Sequence, residues 1–329
     1  MQGLKAIIKK ELSDHISSYR FTIIFALIAM VSLITVYMTG INIRKELEGV
    51  TKPQFVFLML FTSSGGFFSV VQFTAFFGPL MGLLLGFDTI NRERNEGTLS
   101  KILSQPVYRD TVINSKFLAG VSVISIMMVS IVLVIIGLGL FSLGIVPGIE
   151  EIWRILIYLL ISIIYISFWL GISILFSILF RSTATSALAA LAMWIFFSFF
   201  VSIGVSVIVD AIMPEKTVAA HEADYSRPNG INRADFERSN KIKQFSLISP
   251  MYLYTDATAT IIDPTRKTTQ AFIELRPMER ISISRFSGPL PLIQSLLIVV
   301  PYIVTLLALT IITFAVSYTI FMRQEIRSL

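Results

Sequence analysis

Charged side chains are missing from long stretches of this sequence. Phe21–Ile43, Phe55–Phe87, Phe117–Ile149, Ile155–Phe180, Ser182–Val209 and Phe286–Met322 contain neither acid nor base. A helix needs about 20 apolar residues to cross the hydrocarbon of a bilayer. The runs therefore predict six spans, at about 21–40, 67–87, 113–141, 155–180, 184–208 and 291–321. The first is too long for a signal-peptide core and lacks a small-residue cleavage site, so it is expected to be retained. Ahead of it, Leu4, Ile7, Ile8, Leu12, Ile16 and Tyr19 recur at steps of three and four, a helical period. Lys5, Lys9, Lys10, Ser13, Asp14 and Ser17 fall largely on the other side, and such a basic amphipathic helix is expected to lie in the headgroup plane. Phe55–Phe61 is apolar but broken off by Ser63, Ser64, Gly65 and Gly66, which predicts a short outer-leaflet piece. Ser246–Ile262 is apolar enough to rest on the outer membrane surface.

Composition agrees: 54% of the 329 residues are hydrophobic and 15% charged, against roughly 25% charged in soluble proteins. Basic residues in short loops mark the cytoplasmic side. Lys5, Lys9, Lys10, Arg20, Arg92, Arg94, Lys101, Arg109, Lys116, Arg181, Arg323 and Arg327 share one face. The opposite short loops carry only Arg44, Lys45, Lys52 and Arg154. Both termini are therefore expected in the cytoplasm of a cell-membrane protein. The expected fold class is an all-α integral membrane protein: six transmembrane helices, an N-terminal interfacial helix over 1–20, and a long extracytoplasmic segment, 210–289, between the fifth and sixth. The whole chain, 1–329, is read as one domain. The basic excess reflects these flanks and lipid contact, and no nucleic-acid partner is expected.

Gly78, Gly82 and Gly86 place three glycines along one face of the second span, the small-xxx-small spacing that lets another helix approach closely. That helix could belong to the same chain or to a second copy. Ser182, Ser186 and Ala190 begin a similar stripe in the fifth span, with the same two possibilities.

Several chemistries are excluded. There is no GxxxxGK[ST] and no Gly-Lys pair, so no P-loop can cradle nucleotide phosphates. Cysteine is absent, which removes disulfides and thiolate sites. The two histidines, His15 and His221, fall on opposite faces, so no metal site is expected. Glu150-Glu151-Ile152-Trp153-Arg154 sits at a span edge and reads as a solvated loop with Trp153 in an interfacial aromatic belt. Ionisable residues inside spans usually mark ion pathways, and the span interiors have essentially none. Lys116, near the start of the third span, is expected to snorkel to the interface. Energy for any transport would have to come from a partner.

The densest charge lies between the second and third spans, in Asp88–Asp110. Asp88–Arg92 and Arg92–Glu96 are opposite charges four apart, which supports a helix. Gly97-Thr98 interrupts it, Leu99, Ile102 and Leu103 form an apolar edge, and Pro106 ends it. Asp88, Glu93-Arg94-Asn95-Glu96-Gly97-Thr98-Leu99, Leu103-Ser104-Gln105-Pro106-Val107-Tyr108-Arg109 and then Lys116 resemble the signature of ABC-2-type transporter permeases, most closely the NosY-like (multicopper-enzyme-maturation type) permeases. The resemblance implies the permease subunit of an ATP-binding cassette exporter, paired as a homodimer or with a related permease. It implies a cytosolic ABC ATPase partner that holds ATP and Mg, with no cofactor and no catalysis in this chain. Residues 88–110 would be the coupling segment that grips the ATPase, through Asp88, Arg92, Glu93, Arg94, Glu96, Gly97, Thr98, Leu99, Pro106 and Arg109. The alternative reading is a non-transporting membrane scaffold or sensor whose charged segment recruits another cytosolic protein.

Overall fold

The computed structural model describes residues 2–46, 55–62, 68–99, 104, 108–212, 241, 242, 245–264 and 289–324. Among them there is no strand. In chain order the helices are α1 (Gln2–Ile16), α2 (Tyr19–Glu46), α3 (Val56–Thr62), α4 (Val70–Gly86), α5 (Asn91–Asn95), α6 (Arg109–Leu143), α7 (Ile149–Leu179), α8 (Thr183–Ile195), a π-turn (Phe196–Phe200) running into α9 (Val201–Ile212), α10 (Pro250–Ile262) and α11 (Leu292–Arg323). Among the described residues six stretches are long and apolar enough to cross a membrane, and all six lie where the charge-free runs place them. This is a multi-pass, all-helical membrane protein.

The core is built around α7. A Cβ on Gly82 would lie 2.6 Å from Ile166 O, and one on Gly86 2.6 Å from Ser173 Cβ. The glycine face of α4 is thus pressed onto α7 of the same chain, which decides between the two partners the spacing allowed. Pro79 lacks the N–H that would bond Ala75 O in a regular helix, and the Tyr165 hydroxyl of α7 donates to that carbonyl instead, at 2.8 Å. On the other side of α7, α11 comes close at Gly171, where Ser317 Oγ donates to Gly171 O at 3.3 Å. Lipid offers helices no hydrophobic drive to associate, so small residues and hydroxyl bonds of about 0.6 kcal/mol each hold such a bundle.

Three elements depart from expectation. The apolar stripe of α1 is only half exposed, and Glu11 within it is buried; α1 packs against the start of α6. Glu150–Arg154 is not a solvated loop but the first turns of α7, with Arg154 fully buried. α10 does not lie flat on the outer surface. Ser249 Oγ, just ahead of it, donates to Phe197 O at 3.3 Å in the middle of the fifth span. Tyr254 meets Ser162 at 2.9 Å and stacks on Tyr165 at 4.4 Å. Its last turn reaches Arg154 near the start of α7. α10 therefore stands upright inside the half of the bundle that holds the start of α7. Leu253 through Ile262 are all buried, with Asp256 and three threonines among them.

Candidate functional site

Beyond Gly86 the chain turns over Phe87–Ile90 and enters α5, a single helical turn at the basic face. The first N–H groups of any helix lack intrahelical acceptors. Here Ser177 Oγ, near the end of α7, accepts from Ile90 N at 3.0 Å and Asn91 N at 3.2 Å. Asn91 Nδ2 donates to Ser182 O at 3.4 Å, so α5 is fixed to the α7–α8 junction.

Charge fixes its other sides. Lys116, two turns into α6, is 3% exposed. Its Nζ donates to Glu93 Oε1 at 2.8 Å and to Glu11 Oε1 at 3.0 Å. Both carboxylates are buried. Lys10 closes the cluster from the solvent side, 3.7 Å from Glu11 and 3.9 Å from Glu93. Burial by itself would raise the Glu11 carboxyl, but the charge and hydrogen bond of Lys116, with Lys10 and His15 nearby, hold it below its ordinary value. Burial pushes the His15 imidazole down, aided by Lys116 and Arg92 and opposed by Glu11 and Asp88. Asp88 pairs with Arg20 of α2 at 2.7 Å, and the Arg20 guanidinium lies 5.5 Å over the Phe87 ring.

The end of α11 supplies the last brace. Arg94 Nη2 donates to Gln324 Oε1 at 2.8 Å, and Gln324 Nε2 donates to Ile178 O at 2.9 Å. Arg109 Nη1 donates to Gln324 O at 3.1 Å. One glutamine thus joins α5, α6, α7 and α11.

The structure gathers Asp88, Arg92, Glu93, Arg94, Glu96, Gly97, Thr98, Leu99 and Arg109 at one place but divides their roles. Asp88 is taken by Arg20 in place of Arg92. Glu93 faces inward to Lys116, so it is no contact for an outside protein in this state. Lys116 does not snorkel; it is neutralised where it stands. Leu99 is buried, and Thr98 Oγ1 ties back to Glu93 O at 3.2 Å. Arg92, Asn95, Glu96 and Gly97 remain exposed. Gly97 has φ 68°, with nothing within 4 Å of where a Cβ would be. Glycine is needed there for backbone handedness, and close approach by another residue plays no part. Pro106, like Lys101, Ile102 and Leu103, lies outside the described residues.

Glu11, Lys116, Ser177 and Gln324 are the residues that sequence reasoning missed as parts of this site. Two left a signal: Glu11 is an acid within the apolar stripe of α1, and Lys116 a lone cation opening an apolar run. Mechanically, a small exposed polar turn rests on a base tied to α1, α2, α6, α7 and α11. A displacement of that turn must be felt by all five.

The sequence model for ABC-2 family transporter proteins matches residues 5–326. No curated protein matches the chain.

Proposed function

The chain belongs to the ABC-2 transporter family, and on that premise we propose that it is the permease subunit of an ATP-driven exporter, docked to a separate ATPase through residues 88–110. The observation that carries this reading is the division of labour at α5: Arg92, Asn95 and Glu96 point outward, while Glu93, Arg94 and Asp88 are locked to the bundle. A solvated loop has no use for five helices beneath it; a coupling element does. ATP and Mg would be held by the ATPase, whose closure presses on α5. The excess of bases at this end supports cytoplasmic termini in the cell membrane and an external 210–289. We read 1–329 as one transmembrane domain that works as a pair, either with a second copy or with a related permease. The 88–110 motif favours the NosY-like branch, without a residue set that points to copper.

The test is docking. The solubilised chain should retain an ABC ATPase from its own cells, identified by its P-loop peptides, and stimulate its ATP hydrolysis. Arg92→Glu and Glu96→Lys together should abolish retention while leaving the chain's melting temperature unchanged. Retention that survives both reversals would show that α5 is not the docking point. A native chain that holds some other cytosolic protein and no ATPase would establish the scaffold reading.

A further inference from the structure

The two sides of α5 treat cations differently. Toward α1 and α2 the cations meet acids: Lys116 and Lys10 meet Glu11 and Glu93, and Arg20 meets Asp88. Toward α11 they stand together without one. Arg94, half-buried on α5, lies close enough to Arg181 at the α7–α8 junction for the two charges to repel. Arg94 and Arg109 both donate to Gln324, the first to its side-chain oxygen at 2.8 Å and the second to its backbone oxygen at 3.1 Å. Arg323 precedes Gln324 in the last turn of α11. Among the described residues none of these four guanidiniums has an ion pair. The acids nearest along the chain are Glu96, which is exposed, and Asp110, whose Oδ1 accepts from Thr111 N at 2.7 Å.

A guanidinium cannot shed its proton to relieve such crowding, and Gln324 offers it neutral oxygens only. The counter-charge has to come from beyond these residues. Position says what kind. The four arginines stand where α6 begins and where α7 and α11 end, at the level where the apolar spans meet water. Arg181 and Arg323 are exposed. Just before them along the chain, Leu179 and Met322 are exposed as well, at 47% and 38%. A ligand with an anionic head and an apolar tail is satisfied by both kinds of surface. Basic pockets between spans on the cytoplasmic side hold the headgroups of anionic lipids. The forked donors of arginine suit a phosphate in particular, because they reach two of its oxygens at once.

We propose that Arg94, Arg109, Arg181 and Arg323 form a binding site for the phosphate of an anionic lipid headgroup, with the acyl chains lying along Leu179 and Met322. Gln324 holds the first two arginines in place. Arg94 belongs to α5, so the bound lipid braces the exposed turn from the membrane side. The site needs only a membrane boundary at this end of the bundle, and it holds whether or not an ATPase docks at Arg92 and Glu96.

The test uses the whole chain in dodecyl maltoside micelles doped with phosphatidylglycerol or with an equal fraction of phosphatidylcholine. Native mass spectrometry reads the lipid retained, and tryptophan fluorescence reads the unfolding midpoint. Phosphatidylglycerol should be retained in preference and should raise the midpoint; equal retention of the two lipids would overturn the headgroup assignment. Arg181→Gln with Arg323→Gln should cut its retention about 25-fold, since each arginine near an anionic headgroup is worth about fivefold. Both side chains are exposed, so without lipid this double variant should melt at or above the native midpoint, its repulsion relieved. A lower midpoint would make the two arginines part of the fold and overturn the site. Lys5→Gln with Lys9→Gln removes as much charge from the exposed side of α1 and should leave retention unchanged; an equal loss there would reduce the effect to general surface charge. Inorganic phosphate, compared with chloride at one ionic strength, should not move the midpoint. A shift matching that of phosphatidylglycerol would make the ligand free phosphate and overturn the lipid. Lost ATPase retention in the double arginine variant, with lipid retention unchanged, would assign the arginines to an acidic face of the partner instead. Both substitutions lie outside 88–110, so failure of the lipid site leaves the docking test at Arg92 and Glu96 standing.

Discussion

Replacing Lys116 with Met should harm this protein more than any change at Glu93, although it is Glu93 that lies in the segment proposed to meet the ATPase. Lys116 Nζ serves two buried carboxylates, at 2.8 and 3.0 Å. Without it, the salt-bridge partner left to Glu93 and Glu11 among the described residues is Lys10, itself 57% exposed, at 3.7 Å or more. Removing one partner of a buried ion pair costs about 3–5 kcal/mol, and here two carboxylates lose theirs. Glu93→Gln is milder, because Lys116 keeps Glu11 and an amide oxygen can still accept; the loss of one charged hydrogen bond costs about 1.5–3 kcal/mol. The triple change Glu11→Gln, Glu93→Gln, Lys116→Met removes the charge altogether and should recover most of the loss, since neutral replacement of a buried ion cluster is often tolerated. The order expected is Lys116→Met worst, Glu93→Gln intermediate, and the triple variant near native. It can be read as unfolding midpoints of the purified chain in detergent, followed by tryptophan fluorescence. ATPase retention should follow stability across the three. Glu93→Gln with native stability and lost docking would refute the reasoning, because Glu93 would then be touching the partner and not Lys116.

Gly82→Leu should prevent assembly of the bundle, since even its Cβ falls 2.6 Å from Ile166 O and 2.9 Å from Leu170 N, both backbone; accumulation and melting at native levels would mean that α4 does not pack this way. Acid should loosen α1. The folded-state values of Glu11 and His15 are both lowered from ordinary values of 4.5 and 6.5, so each contributes stability that is present above its unfolded value and lost as pH falls through the folded one. Proteolysis of α1 should therefore quicken as pH falls below about 6.5, through His15, and again below about 4.5, through Glu11; His15→Gln should remove the upper part of that dependence, and an unchanged profile in this variant would exclude His15 as its source.

The spans were legible because bilayer crossing demands a run of apolar residues that few other structures need, and all six runs became helices. The glycine face of α4 was legible as a close-packing surface. Its partner was not, because the spacing 78, 82, 86 is the same whether the facing helix belongs to this chain or another. α10 was misread for a physical reason. Ser246–Ile262 was placed on the outer membrane surface because it is apolar but too short to span, and its threonines and tyrosines carry no sign of which neighbours they bond. Inside a bundle the same hydroxyls bond to the preceding turn, as Thr258 does to Tyr254 O at 2.7 Å, and to neighbouring spans. Glu93 was misread because an acid in a charged segment looks exposed. Its partner Lys116 is 23 residues away and its second neighbour Glu11 lies 105 residues from Lys116, separations that no local pattern reveals.

Each end of the bundle ties its helices together through buried charge, and this bears on how motion could cross it. At the basic face the buried ions bind α5 to α1 and α6, so that whatever grips α5 also holds the helices around it; rigidity there lets a displacement be transmitted. At the other end one buried guanidinium, with Glu150 as its counter-charge, gathers the last turn of α10, the entry to α11 and the start of α7. α7 runs between the two. Its Ser177 holds α5 and its Arg154 holds α10, with the glycine face of α4 and the hydroxyls of α11 pressed on it in between. A shift of α7 along its axis is therefore the simplest movement that loads both sites at once.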